Sequence, residues 1–435
     1  MGSKKINIGL YIEGIGLHEL DMRHPNEGNP GIGGTQYCFL LLAYYFSKAY
    51  HKDFNISIIS HIPLQLPSNI YNLVINELND IAKYKYDIVI LKTPQKKESY
   101  NIISKLHGIK FITWSHNFLY SSTARLVSDT PNIIANVFVG KQMYDFYFDD
   151  DIIKKSTYIY NIVPDPFGSK PTIRHIPSHP VLTFMGSLTI EKGIITLLKL
   201  WKKVSKKYPE AKLNIIGGGN LYNREKELGS LGIVDKNTEN LIRPYITTED
   251  GKLDDRITFH GILGKEKYDI FLNSTVGIVN PSAKTETFGM GIIEMACASL
   301  PVVTRNWNGH LDTALNNKTA LLGFSISSMA HAIDLLIQDP NLNTLLGKEA
   351  KNQAERFSPE NVLPQWKMLI DNISNNNYRL KLLNPSAPYW NNYKFIRSIN
   401  AFLRRTCHCS FLPSIVEYET WLYQTYKSIK AIIHK

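Results

Sequence analysis

No apolar run in this 435-residue sequence reaches the roughly 18 residues that a membrane-spanning helix needs. The first residues do not read as a secretory leader: residues 1–5 are polar, and residues 6–12 open a strand-like run. Met1-Gly2 is a poor myristoylation start, because position 6 is Ile6 rather than Ser or Thr. These absences predict a cytoplasmic protein. Cysteine is scarce, at four residues. Cys38 and Cys297 sit in apolar helical runs, where a thiol acts as a small hydrophobe. Cys407-His408-Cys409 has no second pair at zinc-site spacing, which argues against a structural metal. Short-period repeats and low-complexity runs are missing. So is the G-x-G-x-x-G fingerprint: in Gly31-Ile32-Gly33-Gly34-Thr35 the residue three after Gly33 is Gln36. That argues against a nicotinamide-dependent oxidoreductase.

What is present is an ordinary globular composition, 43% apolar and 20% charged. The net charge of +11 is unevenly placed. Residues 378–435 hold nine Lys or Arg against Glu417 and Glu419, which accounts for +7 of it. Bulk charge therefore gives no ground for expecting a nucleic-acid partner.

Short apolar runs at 6–12, 56–60, 87–91, 110–114 and 136–139 predict strands, with a helix over 35–50 between the first two. From 163 to 180 the chain carries Pro164, Pro166, Pro171, Pro177 and Pro180 without apolar periodicity, which reads as a linker. Alternation resumes with strands at 181–185, 212–216, 257–259, 276–279 and 301–304. Helices are expected over 194–206, over 265–271 and from Gly289. The implied organisation is α/β. One Rossmann-like domain covers 1–165, a linker 166–180, a second Rossmann-like domain 181–374, and a basic, aromatic-rich extension 375–435. The two domains are expected to face each other across a cleft, with the chain crossing back near 357–373.

Four segments carry the chemistry. In Glu286-Thr287-Phe288-Gly289-Met290-Gly291-Ile292-Ile293-Glu294, a tight turn opens a helix whose free N–H groups and positive dipole end suit a diphosphate. Gly289 and Gly291 let a ligand approach the backbone. Glu294, among Ile292, Ile293, Met295 and Ala296, predicts a carboxylate facing a partly dry cleft, where ribose hydroxyls would satisfy it. The second segment, from Gly186 and Ser187 to Lys192 and Gly193, puts a strand-end glycine and a lysine near a helix start, both suited to phosphate. The third, with Gly33 and Gly34, offers another helix N-terminus from the first domain. The fourth is His116 in Trp114-Ser115-His116-Asn117, at a strand's carboxyl end, where ligands bind in parallel sheets.

Together these segments resemble glycosyltransferase family 4, the retaining enzymes of GT-B fold, over about residues 6–374. The resemblance rests on the E-x7-E motif, on the G-x-L-x-x-x-K-G-like stretch 186–193, on the glycine-ended strand 213–219, on 257–261, and on Asn280-Pro281-Ser282. It implies transfer of a sugar from a nucleotide-sugar donor, a UDP-sugar before GDP-mannose, to a saccharide or lipid-linked acceptor. It also implies cell-surface polysaccharide or glycolipid synthesis. Glu286 would hold the donor sugar's hydroxyls and Glu294 the ribose. Backbone N–H groups at Phe288, Gly289, Met290 and Gly291, with Lys192, would hold the diphosphate. Gly33, Gly34 and Gly186 would line its path, and His116 would sit beside the transferred sugar. No cofactor or metal is implied. Ser187 stands where the family often has Arg, so one cation is missing, with Arg305 a replacement by proximity to the motif. An epimerase of the same fold and a non-catalytic nucleotide-sugar-binding regulator are the alternatives. Asp149-Asp150-Asp151 matches the D-x-D of metal-dependent transferases but reads as a solvated acidic loop.

In the extension, Ile396, Phe402 and Leu403 beside Arg397, Arg404 and Arg405 suggest an amphipathic face. Its cations and interleaved aromatics fit an anionic membrane surface, so the protein would be peripheral at the inner face of the membrane. The same residues would equally suit a small helical cap.

Overall fold

The computed structural model describes residues 5–14, 16–168, 172–219 and 227–433. Met1, Gly2 and Pro171, named above, lie outside them, as does Lys435 at the end of the basic extension. The chain forms two parallel sheets. The first contains β1 (Ile6–Tyr11), β2 (Phe54–Ser60), β3 (Tyr71–Val74), β4 (Ile88–Lys92), β5 (Lys110–Ser115), β6 (Ile133–Phe138) and β7 (Ser156–Tyr158). The second contains β8 (Val181–Met185), β9 (Lys212–Ile216), β10 (Ile257–Gly261), β11 (Val276–Ile278), β12 (Val302–Arg305) and β13 (Ala320–Gly323). Strand order is β3-β2-β1-β4-β5-β6-β7 in one and β10-β9-β8-β11-β12-β13 in the other. Both are doubly wound, reversing direction beside their first strand, which is where such sheets open a ligand crevice.

The central strands read as nearly unbroken apolar runs because helices cover both faces. Ile88–Leu91 of β4 is wholly buried, as is Val276–Ile278 of β11. Helix Gly34–Ala49 buries ten residues against the first sheet, from Tyr37 to Ser47. Helix Ile194–Lys207 keeps a narrower apolar stripe, including Leu197, Trp201 and Val204, and leaves its lysines to solvent.

After the second sheet the chain returns to the first unit. Val163 N–H donates to the Phe357 carbonyl (2.9 Å). Helix Pro359–Ser374 then lays Trp366 against Trp114, with ring centroids 4.8 Å apart. Its Leu363, Leu369, Ile370 and Ile373 join the same core as Ile8 and Phe111. The crossing falls where the sequence placed it, and the helix packs with the first sheet rather than the second.

The extension forms two helices, Lys394–Arg405 and Ile415–Ile433. They correct the reading of the acidic triplet. Asp149 and Asp150 are buried rather than solvated, because the extension supplies their partners. Asp149 faces Arg397 at 3.6 Å and accepts from Asn400 and from the Ile415 N–H. Asp150 accepts from the Ser414 hydroxyl at 2.6 Å.

Candidate active site

The cleft between the two sheets holds a cavity of about 1020 Å³, lined from one side by Gly33, Gly34, Lys92 and His116 and from the other by Lys192 and Glu286. A smaller space of about 220 Å³ continues from it, past Gly186 and Ser187 to Lys267 and Glu294. Glu286, Lys192, Gly34, Gly289 and Met290 border both. All residues singled out for the donor therefore converge on one continuous cleft.

Its centre is helix Met290–Cys297, which follows Gly289 in the left-handed region (φ 86°). A Cβ on Gly289 would lie 3.0 Å from Thr313 Oγ1, so both space and torsion favour glycine here. The Glu286 carboxylate folds back onto this turn. Oε1 accepts from the Gly289 N–H (2.9 Å), and Oε2 accepts from Asn280 Nδ2 (2.9 Å) and Lys192 Nζ (3.1 Å). Burial alone would raise this carboxyl, but Lys192, His310 and Asn280 outweigh it and hold it at about 2. The Gly289 N–H, expected to face a diphosphate, is thus taken by Glu286. The N–H groups of Met290 and Gly291 carry the anion-binding character of the helix end, since the Ile292 N–H already donates to the Gly289 carbonyl.

Glu294 is buried one turn further in. Its Oε1 accepts from Lys267 Nζ at 2.5 Å, and both side chains are less than a tenth exposed. Lys267 was not anticipated. Its only sequence signal is a lysine near Tyr268 and Phe271 in the short helix Lys267–Leu272. At the strand end, a Cβ on Gly217 would come within 1.9 Å of the Gly186 carbonyl, so the two turns pack backbone to backbone. Ser187 is buried beside them and its hydroxyl has no partner among the described residues. Arg305, the cation suggested to replace the missing arginine, borders neither space. Lys267 borders the smaller one.

From the first unit, helix Gly34–Ala49 points its N-terminus at the cleft. A Cβ on Gly34 would meet nothing within 4 Å, so this glycine opens room rather than resolving a clash. His116 packs against Trp114 (4.6 Å between centroids) and Phe39 (6.0 Å). Burial, aided by the Lys92 charge, lowers it to about 3, so the ring is neutral near pH 7. Its Nε2 and the Oδ1 of Asn161 are buried and lack partners among the described residues, and both residues line the larger cavity. Asn161 is a second residue that sequence reasoning missed; it lies in the apolar stretch 159–163 with no motif around it.

Phe288 plays a different part. Its ring turns to where the chain crosses back to the first unit, 5.9 Å from Tyr160 and 5.4 Å from Phe357. Two further contacts cross the cleft. Thr287 Oγ1 donates to the His116 carbonyl (2.7 Å), and the Gln142 N–H donates to Asp312 (2.9 Å). Burial first, then Asp145, raises the Asp312 carboxyl to about 7.

Residues 170–353 match the family described as "Glycosyl transferases group 1". An uncharacterized glycosyltransferase of Haemophilus influenzae is 24% identical over 272 residues, spanning 60% of this chain and 70% of that protein. The structure of sucrose-phosphate synthase from Thermosynechococcus elongatus is similar with a TM-score of 0.63 at 17% identity, covering 86% of this chain and 100% of the other. Anabaena HepE, solved in complex with UDP-glucose, gives 0.60 at 13%, with 84% and 99% covered. Residues 170–353 therefore resemble a group 1 glycosyl transferase domain, carried in a chain whose two facing sheets form the GT-B fold.

Proposed function

We propose that the protein is a retaining glycosyltransferase that moves a sugar from a nucleoside diphosphate, UDP first among the candidates, to a hydroxyl of a saccharide or lipid-linked acceptor. The observation that carries this reading is the Glu286–Lys192–Asn280 cluster folded onto the start of helix Met290–Cys297 at the centre of the cleft. The solved complex of HepE with UDP-glucose, in the same fold, supports a uridine donor.

In this reading the diphosphate lies at the helix start, where N–H groups and Lys192 Nζ meet the charge that develops as it leaves. The bond from the anomeric carbon to the phosphate oxygen breaks, and the acceptor oxygen bonds to that carbon on the same face. The acceptor's proton passes to the departing phosphate. Glu286 stays ionised and already accepts three hydrogen bonds. A carboxylate has about four acceptor positions, so one remains for a sugar hydroxyl. That suits positioning better than nucleophilic attack. Neutral His116 and Asn161 offer the partnerless polar atoms that sugar hydroxyls would satisfy. Glu294, held by Lys267, keeps its second oxygen for the ribose.

Purified protein screened against several nucleotide sugars, following nucleotide release with and without acceptors, tests the reading. Acceptor-stimulated release with one donor is the expected result. Interconversion of the sugar without transfer would favour an epimerase instead, and binding without turnover a regulator. Transfer is also expected to survive a chelator, because helix dipole and lysine neutralise the diphosphate. Full loss restored by Mn²⁺ or Mg²⁺ would count against that assignment.

A further inference from the structure

Residues 378–435 lie beyond the segment that matches the family, and the structure turns their charge the opposite way from the sequence expectation. In helix Lys394–Arg405 it is the cations that face the protein: Lys394, Arg397 and Ala401 are buried, and Arg404 pairs with Asp151 at 3.0 Å. The other side carries Phe395, Ile396, Ile399, Phe402 and Leu403, all between 36% and 65% exposed. Their spacing puts them on one stripe, which a surface helix ordinarily turns inward. Helix Ile415–Ile433 touches the protein only near its start, where Val416 is buried. Glu417 pairs with Arg125 and Glu419 with Arg397, whereas Tyr418, Trp421, Leu422, Tyr426 and Ile429 stand exposed. Between the helices Phe411 is 81% exposed. Single exposed apolar residues are normal, but two successive outward stripes mark an interaction surface.

Charge decides what covers it. Glu417 and Glu419 are the only acidic residues of 378–435, and both are engaged with arginines. Exposed Lys427 and Lys430 on the second helix therefore face outward with no carboxylate of the segment beside them. A twofold dimer through this face would bring cations of one sign together. An anionic bilayer would instead pair with them, take Trp and Tyr at headgroup depth, and receive Phe, Ile and Leu below. We propose that the outward stripes of helices Lys394–Arg405 and Ile415–Ile433 are an interfacial surface that seats the protein on an anionic lipid bilayer, through aromatic and aliphatic side chains flanked by lysines. The inference stands apart from the reaction, since it uses no residue of the cleft.

The test is co-sedimentation of the full chain, without nucleotide sugar, with phosphatidylcholine vesicles containing about 30% phosphatidylglycerol at about 0.15 M salt. Binding is expected, and about tenfold weaker binding to phosphatidylcholine alone. The double variant Phe402→Ser/Trp421→Ser should lose about tenfold or more in affinity. The pair Lys427→Glu/Lys430→Glu should lose anionic preference. These side chains are exposed, so the thermal midpoint should hold in both variants, confirming that each stays folded. Three results would overturn the proposal: no binding by the full chain, equal binding to both vesicle types, or unchanged binding by Phe402→Ser/Trp421→Ser. A dimer in sedimentation velocity that this variant dissolves, with no vesicle binding, would overturn it in favour of a second copy.

Discussion

In the cleft, Lys192 and Lys267 meet Glu286 and Glu294; under the C-terminal helices, Lys394 and Arg397 meet Asp145 and Asp149. Both sets are buried cation–carboxylate clusters, yet they are filled to different degrees. Asp145 meets Lys141 at Oδ1 and, at Oδ2, Lys394 and both the N–H and hydroxyl of Ser386, four polar partners in all. Among the described residues, Glu286 accepts three hydrogen bonds and Glu294 only the one from Lys267. Asp145 fastens one part of the chain to another. Glu286 and Glu294 leave acceptor positions facing a cavity, and that is where a ligand's hydroxyls have something to gain.

Removing a cation from each set should separate the two. Lys394→Met leaves the fully buried Asp145 without one of its charges, so it should cost about 3–5 kcal/mol of stability in a denaturant titration. Transfer per folded molecule should change little; a loss of turnover without a loss of stability would contradict the fastening role. The reverse is expected in the cleft. Glu286→Ala and Lys192→Ala should each lower transfer by at least about 100-fold while the protein stays folded. Near-normal activity in either folded variant would refute its role. Lys267→Gln should have a smaller effect, raising the donor KM by about tenfold with kcat less changed, on the scale of one lost charge-assisted contact. An equal fall in kcat alone would place Lys267 elsewhere in the reaction. The smallest effect concerns pH. Glu286, held near 2, and His116, lowered to about 3, keep one protonation state each from weakly acidic to weakly alkaline solution. Neither should put a limb on the rate profile there, and a limb near neutrality that His116→Gln abolishes would show the ring titrating.

Much of the fold can be read from the chain. The interior strands announce themselves as apolar runs, and Val181–Met185 and Lys212–Ile216 fall where the pattern puts them. The strands that escape notice are β3, β7 and β13, each short and each at a sheet edge, where one neighbour instead of two shapes the sequence. In the site, residues on the motif are legible because a helix start and its glycines are local features. Lys267 and Asn161 are not legible, since their meaning comes from partners and voids made by tertiary packing. The acidic triplet misleads for the same reason: Asp149 is silenced by Arg397 and Asn400, hundreds of residues downstream. The basic extension misleads too, because charge counts do not say which side of a helix faces the protein.

Helix Pro359–Ser374 has a consequence for how the molecule is made. It supplies Trp366 to the wall beside Trp114, and Lys110 Nζ donates to the Ile373 carbonyl at 2.6 Å. During synthesis the first sheet is therefore complete as a set of strands long before its covering is. While the whole second sheet is being translated, the face around Trp114 waits open, and an open apolar face on a nascent chain invites association with other chains. A fragment ending at residue 165 would freeze that unfinished stage, so the first unit is not a separable piece of sequence: the part of the protein that begins first is closed near the end.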